Sequence, residues 1–310
     1  FVHYRPRILI LNNLEFDHGD IFRDLEDISR SFSHLLRIVP ANGFVLRNGD
    51  DPNLLNLPDA PWTRTLSIGV NDSNDLVIDN FKENSKGSSF DLVWREQQVR
   101  EINWSMPGLF NARNLAMAYL SSAIAQSLDR DLSGILENPF CGIKKIDYGT
   151  CLGVKRRQEV LVNRDDLVVL SDFAHHPTAI TGALESLRAR WPESKIIACF
   201  EPRSNTAVTN VFQERFAKAL ALADQTLIGQ VHRAERIPEK DRINPQEMIE
   251  FIKAKDKLAH AFLTNNELGN FLYQAVNNSK EVSILVVFFS NGSFDGIIEN
   301  LVNQFKDEIS

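Results

Sequence analysis

The second half of this chain switches, at short and regular intervals, between apolar runs of strand length and longer amphipathic segments. That alternation restricts the fold more than any other feature. Runs at 160–162, 168–172, 195–200, 225–228, 261–263 and 284–289 are rich in Val, Ile, Leu and Phe, as in strands buried inside a sheet. Helical patterns fill the gaps at 178–191, 210–223, 245–255, 267–276 and 296–305. Such a βαβ series predicts an α/β fold: a doubly wound, mostly parallel sheet with flanking helices. Ligands of such sheets bind beyond the C-terminal strand ends.

Three strand ends carry suitable chemistry. The first is Val168-Val169-Leu170-Ser171-Asp172-Phe173-Ala174-His175-His176-Pro177-Thr178-Ala179-Ile180. Pro177 suits the first helical position, so a carboxylate, two histidines and a helix N-terminus converge there. Glu201-Pro202-Arg203-Ser204-Asn205-Thr206 brings a guanidinium and several hydrogen-bonding groups to a second end. Ser290-Asn291-Gly292-Ser293 follows a third strand, where backbone N–H groups can hold an anion or simply form a turn. Ahead of this half, Lys155-Arg156-Arg157 reads either as a phosphate clamp or as a solvated basic patch.

The first half is less regular. A strand at 7–12 leads into Leu14-Glu15-Phe16-Asp17-His18-Gly19-Asp20, three carboxylates and a histidine in six residues. A magnesium or phosphate-handling site is one reading, since hard cations take carboxylate oxygens. An acidic helix start, with Asp20 capping a helix over 21–38, is the other. In that helix Ile21, Leu25, Ile28, Phe32 and Leu35 form a core stripe, and His34 lies one residue off it. A strand at 43–47 and ordinary turn chemistry at 48–53 follow. Short alternating runs at 65–70, 76–79, 90–94 and 99–102 predict antiparallel hairpins, with a polar turn at 82–89. Asn111 and Asn114 open a helix reaching about residue 126, spaced to share a face. Paired carboxamides there bind a purine edge or cap the helix. Residues 139–150 lack a period and suggest a domain boundary.

Composition excludes several function classes. At 310 residues the chain has room for two domains, and a formal charge of −7 argues against a nucleic-acid binder. No apolar run is long enough for membrane insertion. Cys141, Cys151 and Cys199 lack CxxC spacing and read as reduced, mostly buried thiols of a cytoplasmic protein. The chain starts at Phe1 and enters a strand almost at once, which reads as a piece of something longer.

Taken in order, Asn13-Leu14-Glu15-Phe16-Asp17-His18, the pair Asn111 and Asn114, Lys155-Arg156-Arg157, and Asp172-Phe173-Ala174-His175-His176-Pro177-Thr178 resemble the Mur ligase family along essentially the whole chain. These are the ATP-dependent amide-bond ligases of peptidoglycan assembly. The runs at 11–18, 200–206 and 290–292 look most like the branch that reattaches the murein tripeptide L-Ala-γ-D-Glu-meso-diaminopimelate to UDP-N-acetylmuramate. The L-alanine-adding branch, a folate polyglutamylating relative and a non-catalytic peptide- or nucleotide-binding module are the alternatives. A zinc hydrolase on Asp172, His175 and His176 fits no standard ligand spacing.

The resemblance implies ATP and magnesium as cofactors, with Glu15 and His34 as metal ligands. It implies Asn111 and Asn114 at the nucleotide base, Arg157 on phosphate and Asp172 near the ribose. His175 and Arg157 are the catalytic candidates, and His175, Arg203, Ser204 and Asn205 face the incoming peptide. Residues 1–146 then correspond to the second half of the central ATP-binding domain, and 147–310 to the Rossmann-like peptide-binding domain. The family's phosphate loop is missing, since no Gly-Lys is followed by Ser or Thr, and so is the sugar-nucleotide domain; the chain alone is expected to lack ligase activity. Leu109-Phe110 before Asn111, and Ser293 and Asp295 in a stretch that looks glycine-rich in tripeptide ligases, also depart from the pattern.

Overall fold

The computed structural model describes residues 3–128, 132–142, 148–151, 153–279 and 283–307. The chain forms two compact units, Phe1–Leu152 and Gly153–Ser310. The boundary placed at 146/147 lies outside the described residues.

The first unit runs β1 (Ile8–Leu11), α1 (Leu25–Arg37), β2 (Phe44–Asn48), α2 (Pro52–Leu55), β3 (Arg64–Gly69), β4 (Leu76–Asn84), β5 (Gly87–Trp94), β6 (Gln97–Trp104), α3 (Leu109–Ser127) and α4 (Leu132–Glu137). Its sheet follows chain order, β1-β2-β3-β4-β5-β6. The strands β1 to β4 pair in parallel; only β4-β5 and β5-β6 are antiparallel. Hairpins are therefore confined to 76–104, because β3 is taken up between β2 and β4. The turn expected at 82–89 shrinks to Ser85 and Lys86, with polar residues on either side continuing the ladder. Alternate residues of β2 enter opposite cores: Phe44 and Leu46 join that of α3, and Val45 joins Leu9, Leu11, Ile28, Leu36 and Leu54. A central strand buried on both faces has this double demand.

Helix α1 begins later than its apolar pattern suggests. Asp24, not Asp20, is the cap, its carboxylate accepting from the Asp27 N–H at 2.8 Å. Ile21 thus precedes the helix and is 69% exposed rather than part of the core.

In the second unit β7 (Glu159–Asn163), β8 (Leu167–Asp172), α5 (Pro177–Arg190), β9 (Lys195–Phe200), α6 (Gln213–Leu220), β10 (Gln225–Ile228), α7 (Pro245–Lys253), β11 (Leu258–Ala261), α8 (Asn265–Asn277), β12 (Ile284–Phe289) and α9 (Ile297–Asp307) alternate as the sequence predicts. The sheet order is β11-β10-β9-β12-β8-β7, parallel except for β7. Every residue of β8 and β12 is buried. Helices α5, α6 and α7 pack in a row, while α8 packs on α9. Strand β11 starts three residues before its predicted place, because its register on β10 pairs Leu258 with Gln225; Leu263 is left exposed.

Return of the chain from β11 to β12 inserts the last strand between β8 and β9. The strand order reverses there, which marks the C-terminal ends of β8, β12 and β9 as the ligand crevice. Of the three thiols only Cys199, inside β9, is buried; Cys141 and Cys151 lie outside the sheets and are exposed, contrary to the sequence reading.

Candidate active site

The end of β8 is built around a buried carboxylate. Asp172 is 4% exposed, and its oxygens accept from the backbone N–H groups of Ala174 at 2.7 Å and Gln158 at 3.2 Å. Burial pushes its carboxyl above the usual range, against those two donors and the nearby Arg157. The chain then turns through Phe173 to His176, which caps α5 with extended backbone, and Pro177 takes the first helical position as expected. His175 faces the Phe173 carbonyl with Nδ1 at 2.9 Å. A carbonyl only accepts, so Nδ1 carries the hydrogen and Nε2 is the basic nitrogen of the neutral ring.

The two arginines before β7 divide their roles. Arg156 donates to the carbonyls of Ser290 and Gly292, tying its loop to the turn after β12. Arg157 is exposed, and both guanidinium groups lie 5.2 Å from the Phe173 ring centre. Arg157 is therefore left exposed on the loop, whereas Arg156 is tied into it.

At the ends of β9 and β12 a second buried carboxylate organises the turn. Glu201, 1% exposed, accepts from the Ser290 hydroxyl, from Asn265 Nδ2 at 3.2 Å and from Arg203 Nη1 at 3.2 Å. Asn265 also donates to Asp295 at 2.8 Å, and Asp295 stands 4.0 Å from Arg203. Gly292 lets Arg203 lie close beside them: a Cβ there would push aside Cδ and Nε of Arg203. His232 belongs to the same cluster, held below the usual imidazole value by burial, Arg203 and Arg233 against Glu201 and Asp295. Ser204 accepts the Ala207 N–H at 3.1 Å and shapes the loop, while Asn205 is exposed. The structure thus gathers Asp172, His175, Arg157, Arg203, Ser204 and Asn205 on loops at one end of one sheet. Asn265, Asp295 and His232 were missed as members of this cluster, since the start of α8, the turn after β12 and the loop after β10 share no local motif.

In the first unit Glu15 is half-buried on the loop after β1, and His34 is exposed in the last turn of α1. Neighbouring backbone on that loop is clamped. Asn48 Nδ2 donates to the Asn12 carbonyl at 3.0 Å, Leu14 N–H to Asp51 at 2.8 Å, and Asn53 Nδ2 to the Leu14 carbonyl at 2.7 Å. The stretch 48–53, read from the sequence as a plain turn, is what holds the Glu15 loop. Among the described residues no three His, Cys, Asp or Glu side chains form a metal cluster. Glu15 offers a carboxylate oxygen of the kind magnesium takes, an ion that keeps water and phosphate oxygens for most of its shell.

Asn111 Nδ2 donates to the Pro107 carbonyl at 2.6 Å, and Asn12 Nδ2 donates to Asn114 Oδ1 at 2.7 Å. The first is not a helix cap, since Gly108 is the N-cap and no side chain accepts there; it fixes the Asn111 amide on the segment entering α3. The second ties α3 to the loop after β1.

Residues 2–122 match the Mur ligase middle domain, and residues 156–288 match the Mur ligase glutamate ligase domain. The chain is 30% identical over 309 residues to the UDP-N-acetylmuramate–L-alanyl-γ-D-glutamyl-meso-2,6-diaminoheptandioate ligase of Escherichia coli strain K12, across 98% of this chain and 60% of that protein.

The chain belongs to the Mur ligase family.

Other members are also similar. The UDP-N-acetylmuramate–L-alanine ligase of Leuconostoc citreum is 34% identical over 238 residues, covering 76% of this chain and 49% of its own. Among solved structures, a murein peptide ligase from Psychrobacter arcticus superimposes with TM-score 0.59 at 26% identity, over 97% of this chain and 58% of its own. The UDP-N-acetylmuramate-alanine ligase of Thermotoga maritima shares the fold with TM-score 0.70 at 19% identity, over 99% and 61%. The chain spans about 60% of the length of the first of these Mur ligases. Among the described residues no helix is long and apolar enough to cross a membrane.

Proposed function

We propose that this chain is part of a cytoplasmic, ATP-dependent ligase that joins the murein tripeptide L-Ala-γ-D-Glu-meso-diaminopimelate to UDP-N-acetylmuramate. In this reading residues 1–146 belong to the ATP-binding domain and 147–310 form the peptide-binding domain, and the 310-residue chain is inactive by itself. The observation that carries the reaction class is Arg157, an exposed cation on a tethered loop beside Asp172 and His175 at the sheet's ligand-binding end. Similarity across 98% of the chain to the E. coli tripeptide ligase supports the choice of acceptor.

The lactyl carboxylate of UDP-N-acetylmuramate attacks the γ-phosphate of ATP, giving an acyl phosphate and ADP. The free amine of the acceptor then attacks the acyl carbon, phosphate leaves, and the amine proton passes to a base. Two anions must meet in the first step, so positive charge is the main requirement. Arg157 supplies it from this chain, and Glu15 with His34 would hold magnesium. When bound, that ion adds charge neutralisation between the phosphates and the attacking carboxylate. Asn111 and Asn114 meet the base, where Asn111 Oδ1 and Asn114 Nδ2 complement a purine's amino group and ring nitrogen. His175 takes the amine proton, and Arg203, Ser204 and Asn205 receive the peptide.

Acceptor choice tests the branch. In the complete protein, ADP release with UDP-N-acetylmuramate and ATP is expected to be at least about tenfold faster with tripeptide than with L-alanine at equal concentration. Preference for L-alanine would keep the ligase chemistry but overturn the tripeptide assignment.

A further inference from the structure

We infer that Asp295 determines specificity at the acceptor site: its carboxylate takes the free ammonium at the far end of the acceptor's third residue. This inference rests on the tripeptide-ligase reading above and names the part of the peptide that the turn after β12 reads. The backbone of Asp295 is left-handed, with φ of 53° and ψ of 32°. Phe294 before it (φ 49°) and Gly296 after it (φ 85°) are left-handed too. Glycine takes such a position freely, whereas a side chain is strained there. A stretch that looks glycine-rich in tripeptide ligases therefore carries a carboxylate here against its backbone preference. Strain of this kind persists only where neighbouring contacts hold it.

Two contacts hold Asp295. Phe294 is fully buried and meets Phe288 edge-on, with ring centres 5.4 Å apart, which anchors the turn in the core. Asn265, 3% exposed, donates from Nδ2 to Asp295 at 2.8 Å while its Oδ1 accepts the Gln230 N–H at 3.0 Å. The charges so gathered do not cancel. Glu201, buried beneath, already meets Arg203 Nη1 at 3.2 Å, and Asp295 stands 4.0 Å from the same nitrogen. His232 is mainly neutral at pH 7, because its imidazole is held below the usual value. Among the described residues Arg233, the next cation along the chain, pairs with neither carboxylate. Two carboxylates thus share one guanidinium. Burial keeps Glu201 from a ligand, but the Asp295 side chain is 60% exposed. An open, excess carboxylate beside a peptide-binding arginine suits an ammonium that lies next to a carboxylate. The distal end of diaminopimelate has that form.

The test compares two acceptors in the complete protein. One is the diaminopimelate tripeptide; the other carries 2-aminopimelate in third place, which keeps the distal carboxylate and lacks the distal amine. In wild type, kcat/KM is expected to be about tenfold higher for the diamino peptide, the scale of one charge-assisted hydrogen bond at an exposed site. In Asp295→Asn and Asp295→Gly that ratio is expected to fall below about threefold. A purely structural loss affects both acceptors alike and leaves the ratio in place. A wild-type ratio below about twofold, or a ratio that both variants keep, overturns the role of Asp295. A wild-type protein that joins neither peptide removes the tripeptide reading and this inference with it, whereas one that joins both without preference removes the inference alone.

Discussion

Asp50→Ala is expected to lower the unfolding free energy of the first unit by about 3–5 kcal/mol, because it strands a partly buried cation and several donors at once. The Asp50 side chain is 13% exposed and accepts from Val70 N–H at 2.8 Å, Asn71 N–H at 3.3 Å, Asn71 Nδ2 at 2.8 Å, Asn74 Nδ2 at 3.2 Å and Arg113 Nη2 at 3.0 Å. Gly69 is kept small by the same carboxylate, which a Cβ there would strike. Thus β2, the turn after β3 and the start of α3 meet on one side chain. Burial works against its charge, yet the Val70, Arg113 and Asn71 bonds prevail and hold its carboxyl below the usual 3.8. A lowered acid pKa contributes stability that is complete above the unfolded value and is lost as pH falls through the folded one. The gap between wild type and Asp50→Ala should therefore close in acid, below pH 3.8. Denaturant unfolding at neutral and acid pH checks both statements. A loss under about 1 kcal/mol at pH 7 would return residues 48–53 to the status of an ordinary turn.

Arg157→Ala in the complete protein is expected to reduce kcat/KM for ATP by about 10²–10³, the usual cost of removing one preorganised charge from a developing anion. Its fold should survive, because the exposed guanidinium has its ring contact with Phe173 and no backbone to hold. Arg156→Ala should behave in the opposite way. It frees the carbonyls of Ser290 and Gly292 and should lower stability more than ATP affinity. Arg157→Lys keeps a point charge without the planar fork and should fall between wild type and alanine. A loss of less than about threefold in Arg157→Ala would take Arg157 out of the transition state.

The two halves were not equally legible in the sequence, for a physical reason. In the second unit the inner strands β8, β9, β10 and β12 are buried on both faces and alternate with helices, so local pattern and tertiary environment agree. Strands β9, β10 and β12 lie where their apolar runs predict. In the first unit the sheet changes from parallel to antiparallel at β4, a choice of partner that the alternation of Thr65 to Val70 does not encode. Asp24 takes the cap from Asp20 because chain geometry, not residue type, decides between two aspartates four apart. Candidate residues in contiguous motifs, such as Asp172, His175 and Arg203, were visible. Asn265, at the start of α8, reaches Glu201 and also bonds Asp295, a meeting of distant segments that no local motif encodes.

The most direct test of the ligase assignment is the dependence of ADP formation on each substrate in the complete protein. The account predicts that ADP accumulates when ATP, UDP-N-acetylmuramate and the tripeptide are all present, with one amide bond formed per ADP. Omission of either the sugar nucleotide or the tripeptide should stop sustained turnover. Steady ADP release without the sugar nucleotide, or without amide formation, would contradict the acyl-phosphate mechanism and leave the chain with the fold of a Mur ligase but different chemistry.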